Sequence, residues 1–247
     1  MHLSALTAAT LFLLPLFGTN LHAATKESDG YAMIRKHLSE RVPGLPKIEE
    51  IRPSGFPGMF EIRVGADIAY TDAKGDYLIR GSLLRTADKK ELTALRIEDL
   101  QRIQFKDLPL DGAIVRKTGT GKRKVVIFED PNCGYCKKLA HDLESVPDLT
   151  SYIVMVPILS QDSAVKAGGI WCSKDRAQSW SDWMLRGVTP AKAPSDCKVP
   201  LVSNLAFARL HDITGTPTIF FEDGSRKVGA LTPADFAEKL NQTIPAP

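Results

Sequence analysis

The feature that most constrains the fold is a strand-like apolar run that leads directly into a Cys-x-x-Cys pair. Residues 123–130, RKVVIFED, are apolar enough for a buried strand, and NCGYC follows at 132–136. A helix is predicted from about Cys133, which places Cys136 one turn inside it. Unpaired backbone N–H groups at a helix start stabilise an anion, which favours the thiolate of Cys133 and leaves Cys136 protonated until it reacts.

A second motif, TGTPT at residues 214–218, is expected beside the two thiols. A cis bond between Thr216 and Pro217 would turn the preceding backbone outward and leave its N–H and C=O free to pair with a substrate strand. Between the thiols, Gly134 allows close backbone approach and Tyr135 offers an amphipathic ring. A Thr-Pro pair before a strand is a weak signal alone, and the upstream Cys-x-x-Cys makes the combination strong.

The N-terminal part of the chain predicts a small α+β domain. Helical spacing covers residues 30–42, strand-like runs cover 59–71 and 76–86 with the turn DAKG between them, and a second helix covers 89–103. A domain this small buries only about 60% of its unfolded surface and is marginal alone. Pairing with a second copy is the simplest remedy.

The remaining chain predicts an α/β domain. Its order is β-α-β, a helical insert, and α-β-β-α, a thioredoxin-like plan interrupted by helices. The last helix should begin with Thr232 as N-cap and Pro233 at its first position. The other predicted elements are strands 112–119, 123–130 and 151–159, helices from 133, at 163–187 and at 199–213, and a hairpin at 217–231.

The amino terminus predicts export. Residues 3–17 form an uncharged apolar run, followed by small residues at Ala23 and Ala24. This pattern indicates a signal peptide, residues 1–23, cleaved near Ala23 or Ala24, with an N-terminal anchor as the alternative. The mature chain is expected in an oxidising compartment, where disulfides persist.

The charge pattern argues against a nucleic-acid partner. The chain has 32 basic and 29 acidic side chains, well mixed, and a formal net charge of +3. The local cluster GKRK at residues 121–124 is interpreted as a solvated hairpin turn.

Four segments together resemble the periplasmic disulfide isomerases of the DsbC and DsbG type. They are GDYLIRGSLL, FEDPNCGYCKKL, IWCSKD and TGTPTIFFEDG, and the resemblance covers nearly the whole mature chain. It implies that Cys133 is the attacking thiol and Cys136 the resolving one. It also implies an active-site dipeptide, Gly134 and Tyr135, and a cis-proline loop formed by Thr216 and Pro217.

The resemblance also implies a domain plan and partners. Residues 24–85 would form an α+β dimerisation domain, 86–105 a linker helix and 106–247 a thioredoxin-like α/β catalytic domain with a helical insert. Such proteins are V-shaped homodimers whose apolar cleft holds misfolded exported proteins, and the membrane reductase DsbD keeps them reduced. The expected function is periplasmic disulfide isomerisation and reduction with chaperone activity and no cofactor. A net dithiol oxidase and a dimeric chaperone with secondary redox activity remain as alternatives.

The other two cysteines, Cys172 and Cys197, lie in the helical insert. We expect a structural disulfide between them, because export makes two free thiols unfavourable; a redox relay with the first pair is the alternative. They do not form a close-spaced ligand pair, so a four-cysteine zinc site is not expected and no metal is predicted.

Other side chains have ordinary interpretations. No cysteine-protease signature surrounds Cys133 among the histidines His37, His141 and His211. The tryptophans are expected to pack the insert against the sheet, with substrate binding as the alternative; they are Trp171, Trp180 and Trp183.

The proton acceptor for Cys136 is left open by the sequence. Thioredoxins commonly bury an acid six residues before the first cysteine, and here that position is Ile127. Glu129 and Asp130 lie nearby and are interpreted as solvated residues at a strand end.

Overall fold

A computed structural model describes residues 29–243, which form two compact units. The division in sequence falls between Ile79 and Arg80, except that residues 65–68 group with the second unit. The predicted signal peptide, residues 1–23, lies outside the described residues. Within the described range, no helix combines the length and apolar character needed to cross a membrane.

The first unit packs one helix against a four-stranded sheet ordered β1-β2-β3-β4. Ile34 and Leu38, one helical turn apart, are buried against isoleucines that include Ile51 and Ile62. The helical spacing in the sequence therefore identifies the buried face correctly. The elements are α1 (Ala32–Arg41), β1 (Glu50–Pro53), β2 (Met59–Val64), β3 (Asp67–Asp72) and β4 (Leu78–Ile79).

The strands of this sheet differ from the predicted ones. The apolar run at residues 59–71 forms β2 and β3 as separate strands, because a turn interrupts it at Gly65, whose φ of +61 is in the left-handed region. Strand β1 was not predicted, and it pairs antiparallel with β2. The sheet thus has more, shorter strands than the apolar pattern indicates.

The predicted linker helix, residues 86–105, is shorter in the structure. Helix α2 spans Leu92–Leu100, and a two-stranded antiparallel ladder of β5 (Leu84–Arg85) and β6 (Lys90–Glu91) precedes it. The backbone before Leu92 is committed to this ladder, whose turn includes Lys89 at φ +56, so helical hydrogen bonding starts later than predicted.

The second unit contains a five-stranded sheet ordered β11-β10-β8-β9-β7. The β8–β9 pair is parallel and the other neighbours are antiparallel. The strands are β7 (Ile114–Lys117), β8 (Arg123–Glu129), β9 (Leu149–Met155), β10 (Thr218–Phe221) and β11 (Arg226–Val228). The helices are α3 (Gly134–Leu143), α4 (Gln161–Trp171), α5 (Arg176–Arg186), α6 (Leu201–Leu210) and α7 (Pro233–Gln242).

The hairpin predicted around residues 121–124 is wrong. Strand β9 lies between β7 and β8 and pairs with both, so the turn connects two strands that are not neighbours. Strands β8 and β9 occupy interior positions of the sheet, and their side chains are buried along most of their length. Burial on both faces, rather than proximity in sequence, determines this order.

Helices cover both faces of the sheet. On one face, alternate residues Val125 and Ile127 pack with Leu139 of α3 and Phe236 of α7. On the other face, Val126 and Phe128 pack with side chains of α6. The predicted start of α7 is confirmed, because Thr232 Oγ1 accepts from the backbone N–H of Asp235 and Pro233 occupies the first turn. The insert adds a cluster that includes Trp171, Trp180, Met184, Ile153 and Met155.

A disulfide joins Cys172, at the end of α4, to Cys197 in the segment before α6, across a sequence separation of 25. Replacing both cysteines by Ser should lower the free energy of unfolding by about 3 kcal/mol, because the unfolded chain regains the entropy of the closed loop. Urea unfolding would measure this loss. Selective reduction of the same bond in the unaltered protein should reproduce it, and a loss below about 1 kcal/mol would contradict a stabilising role.

Candidate active site

Cys133 lies at the junction between β8 and α3, where it is the N-cap of the helix. The loop before it is shaped by Asp130, whose Oδ1 accepts from the N–H of Asn132 at 2.7 Å and whose carbonyl accepts from the N–H of Cys133 at 3.0 Å. The second carboxylate oxygen accepts from the N–H of Leu159 at 2.9 Å. Asp130 therefore joins the loop before Cys133 to the segment that follows β9, a typical use of Asp in tight turns.

The two thiols are close to each other and both are buried, Cys133 with 7% of its surface exposed and Cys136 with none. Both are free, and the backbone N–H of Cys136 donates to Cys133 Sγ at 3.4 Å. Cys136 has no exposed surface, whereas Tyr135 beside it is 70% exposed and Gly134 has open space around it. An N–H donor at a helix start stabilises charge on Cys133 Sγ, so this thiol is the better placed nucleophile.

The register between β8 and β10 brings the TGTPT segment to the same place. Because the strands are antiparallel, Thr218 at the start of β10 lies opposite Phe128 near the end of β8. The Thr216–Pro217 peptide bond is cis, and Cys133 Sγ donates to the carbonyl oxygen of Thr216 at 3.3 Å. Two motifs separated by some eighty residues thus meet at one sulfur atom.

The interpretation of Glu129 and Asp130 as solvated residues is wrong. Asp130 has no exposed surface and Glu129 is 2% exposed. Trp180 of α5 covers the end of β8 and donates its indole N–H to Glu129 Oε1, while the Glu129 carbonyl accepts from the N–H of Val156. One signal in the sequence could have indicated this: Glu129 alternates with Ile127 and so shares its inward face of β8.

Burial shifts the proton affinities of two groups at the site. Desolvation raises the pKa of Glu129 to about 8, against the opposing effects of the Trp180 hydrogen bond and the charge of Arg116. Desolvation also raises the pKa of the Cys136 thiol, and the Glu129 carboxylate is the next largest cause. The ionised carboxyl of Glu129 therefore favours the protonated form of the Cys136 thiol.

Tryptophans of α5 support the loop that leads to the thiols. Trp183 donates to the carbonyl oxygen of Pro131 at 2.6 Å, and Lys137 and Lys166 lie 4.0 Å and 4.5 Å from the centre of its ring. Trp180 lies beneath Arg116, whose guanidinium carbon is 4.8 Å from the ring centre. The packing role expected for these tryptophans is observed, and the hydrogen bond to the loop is an addition that sequence reasoning missed.

The histidines lie in other surroundings. His37 bonds to the carbonyl oxygen of Lys74 at 2.7 Å, and His211 packs against Phe207 with ring centres 4.3 Å apart. His141 is exposed on α3, two turns beyond the thiols.

Comparison with known proteins agrees with this geometry. Residues 20–94 match the family model of the disulfide bond isomerase protein N-terminal domain, and residues 110–244 match a thioredoxin-like domain. A probable thiol:disulfide interchange protein DsbC from Bordetella avium is 40% identical over 211 residues, 85% of this chain and 75% of that protein. The chain belongs to the DsbC family. The predicted family and fold class are thereby confirmed, and so is the enzyme class, thiol–disulfide oxidoreductase or isomerase.

Two further relatives extend the comparison. The thiol:disulfide interchange protein DsbC of Escherichia coli K12 is 23% identical over 203 residues, which are 79% of this chain and 82% of that protein. The crystal structure of a disulfide interchange protein from Neisseria gonorrhoeae superposes with a TM-score of 0.50 and 36% identity, over 55% of this chain and 98% of that one.

The buried carboxyl predicts a pH-dependent stability. Below pH 4.5, Glu129 is protonated in both the folded and the unfolded state, so no free energy of unfolding is lost to its ionisation. Between pH 4.5 and about 8, the unfolded chain ionises while the folded chain holds the proton, so stability falls as pH rises. Glutamine at this position does not ionise. In the dithiol form of the protein, the free energy of unfolding of Glu129→Gln, relative to that of the unaltered protein, should therefore rise by on the order of 4 kcal/mol between pH 4 and 8.

Urea unfolding of both proteins from pH 4 to 8 measures this gain. Glu144→Gln is the matched control, because that exposed carboxylate forms the ion pair with Arg116, at 2.6 Å, and Glu129 is left in place. Its difference from the unaltered protein should stay constant between pH 6 and 8, where the effect of Glu129 is still growing. A constant difference for Glu129→Gln as well would show that Glu129 does not titrate as described.

Proposed function

We propose that this protein is a periplasmic thiol–disulfide isomerase and reductase that rearranges incorrect disulfides in exported proteins through Cys133 and Cys136. One observation carries the proposal: Cys133 Sγ lies at a helix N-cap, with the N–H of Cys136 donating to it and the Thr216 carbonyl beside it. The N–H of Cys136 stabilises charge that develops on this sulfur, and the Thr216 carbonyl becomes free to pair with an extended substrate once the thiol has lost its proton.

The proposed reaction begins with the thiolate of Cys133. It attacks one sulfur of a substrate disulfide, forms a mixed disulfide, and releases the other substrate sulfur as a thiolate. A substrate thiolate can then attack its own sulfur in the mixed disulfide, which releases Cys133 and completes isomerisation without net oxidation. Alternatively, Cys136 attacks Cys133 Sγ, and the substrate leaves fully reduced while the enzyme becomes a disulfide.

The residues around the thiols receive supporting roles. Gly134, which has open space around it, and Tyr135, which is exposed, are proposed to form the surface that a substrate chain contacts next to Cys133. The Thr216–Pro217 loop is proposed to position the substrate backbone. The disulfide between Cys172 and Cys197 is proposed to be structural, since it links two parts of the insert.

Partners follow from the chemistry. Each net reduction leaves the Cys133–Cys136 pair oxidised, so a dithiol donor must restore it, and a membrane reductase of the DsbD type is the proposed donor. The proposed location is the periplasm, after cleavage of residues 1–23 near Ala23 or Ala24. Thiol exchange among the sulfurs requires no cofactor.

Dimerisation and chaperone activity are assigned to the N-terminal unit. Residues 24–85 are proposed as the dimerisation domain, 86–105 as the linker and 106–247 as the catalytic domain. In the first unit, large apolar side chains such as Phe56, Tyr77 and Ile79 are exposed. Such side chains fit a surface that contacts a second copy or an unfolded client.

Replacing either thiol should separate the two steps. With a scrambled multi-disulfide client and no added oxidant, Cys133→Ala should abolish recovery of client activity, because no mixed disulfide can form. Cys136→Ala should instead accumulate mixed disulfides, which non-reducing electrophoresis would show. Reshuffling by Cys133→Ala would contradict the assignment, and disulfide donation by the oxidised protein without isomerisation would establish a net oxidase.

Removing residues 24–85 from the mature chain should convert a dimer into a monomer. Sedimentation equilibrium measures the mass of each form, and retained reduction of a small disulfide would show that the catalytic domain is still folded. An unchanged oligomeric state would refute the proposed dimerisation domain.

A further inference from the structure

Glu129 is one of three carboxylates buried in the part of the chain that the structure describes, and its surroundings differ from those of the other two. Glu61 pairs with the Arg52 guanidinium, and Asp130 accepts two backbone N–H groups on its two oxygens. Glu129 accepts a hydrogen bond from the neutral indole of Trp180. The positive charge that lowers the pKa of Glu129 belongs to Arg116, and the ion pair of Arg116 is with Glu144 rather than with Glu129.

A buried acid of this kind is costly to the fold. A carboxyl group without a cation at contact distance stays protonated over much of the neutral range and destabilises the folded state once it ionises. Neither the strand ladder nor the Cys133 loop requires its charge, because the Glu129 backbone and Asp130 make those hydrogen bonds. Costly buried acids in a reactive site are candidates for a chemical role.

The position of Glu129 indicates that role. It lies on the inward face of β8, the face against which α3 packs through Leu139. Its hydrogen-bond donor Trp180 belongs to the same buried cluster as Cys136. Since Cys136 has no exposed surface, its proton cannot pass directly to bulk water, and a resident acceptor within the cluster would provide the route.

We propose that Glu129 accepts the proton of Cys136 when Cys136 attacks the mixed disulfide, and returns it when the pair is reduced again. This inference rests on the proposed function and concerns only its second step. Position 127, where thioredoxins commonly carry such an acid, is Ile127 in this chain. Glu129 would supply the carboxylate two residues further along the same strand face.

Resolution of the mixed disulfide moves one proton within the enzyme and passes two electrons to the substrate. The S–H bond of Cys136 breaks and its proton goes to the Glu129 carboxylate. The Cys136 thiolate then forms a bond to Cys133 Sγ, and the Cys133–substrate bond breaks with its electron pair leaving on the substrate sulfur. The enzyme dithiol is oxidised and the substrate disulfide is reduced, with two electrons exchanged. The proton stays on Glu129 until the pair is reduced again, when it returns to Cys136, and the departing substrate thiolate takes its own proton from solvent.

The step should depend on pH, because only the ionised carboxylate accepts a proton. The charged and titratable groups that face this centre are Arg116 from β7, Asp130 on the adjoining loop, and Cys133 with Cys136 at the start of α3, while α5 contributes the neutral Trp180. Burial places the pKa of Glu129 at about 8, within about one unit of neutral pH, which suits a group that must both take and return a proton.

The test uses the full mature protein in its reduced form, with oxidised glutathione as the disulfide probe. Acid quenching and mass spectrometry would quantify reduced protein, the glutathione adduct on Cys133 and the Cys133–Cys136 disulfide over time. Glu129→Gln, which keeps an oxygen to accept from Trp180, should leave adduct formation within about twofold. It should slow adduct resolution by roughly tenfold to a hundredfold at pH 7.5, so that the adduct accumulates.

The pH profile separates a chemical role from a structural one. Resolution in the unaltered protein should rise about tenfold between pH 6 and 7 and level off above about pH 8, and Glu129→Gln should lose this rise. Glu129→Asp retains a carboxylate and should retain the rise at a lower rate. Glu144→Gln, the surface control on the same arginine, should behave as the unaltered protein.

The outcomes distinguish this inference from the proposed function. If Glu129→Gln resolves the adduct at the unaltered rate with the same pH profile, the inference is wrong. It is equally wrong if adduct formation and resolution slow by the same factor, since that indicates a general structural effect. If the unaltered reduced protein forms no adduct on Cys133, the proposed function fails and this inference fails with it.

Discussion

The antiparallel register between β8 and β10 is the constraint on which the site depends. It places the start of β10 beside the end of β8, and so brings the Thr216 carbonyl within 3.3 Å of Cys133 Sγ. A shift of one residue would turn every side chain of β10 to the opposite face and remove this contact. Buried phenylalanines on both strands, Phe128 and Phe220, pack edge to face and oppose such a shift.

Two kinds of buried acid lie side by side at the end of β8, and they serve different needs. Asp130 is satisfied by backbone donors and fixes the shape of the loop before Cys133. Glu129 has a single neutral donor and a raised pKa, so its burial opposes stability in the ionised form. The first acid explains why the thiols have a defined geometry. Glu129 provides a group that can accept a proton near Cys136, which has no exposed surface.

The local parts of the structure were predictable from sequence and the non-local parts were not. The helix start at Cys133 and the N-cap of α7 depend on neighbours within a few residues, and both were predicted. The alternation of Glu129 with Ile127 indicates an inward-facing side chain, but no local pattern identifies its partner, Trp180, 51 residues later. The placing of β9 between β7 and β8 is likewise decided by burial across the whole sheet.

The segment expected to act as a linker is held firmly to the catalytic unit. Glu98 of α2 pairs with Lys227 at 2.9 Å, and Arg102 pairs with Asp223 at 3.2 Å. The N–H of Ile103 donates to the carbonyl of Gly224, whose φ of +80 and close approach to Ile103 exclude any larger residue. These contacts bind α2 and the residues after it to the β10–β11 hairpin, which begins immediately after Pro217. Helix α2 therefore has a defined orientation relative to the thiols within the second unit, because these contacts join it to the hairpin beside them.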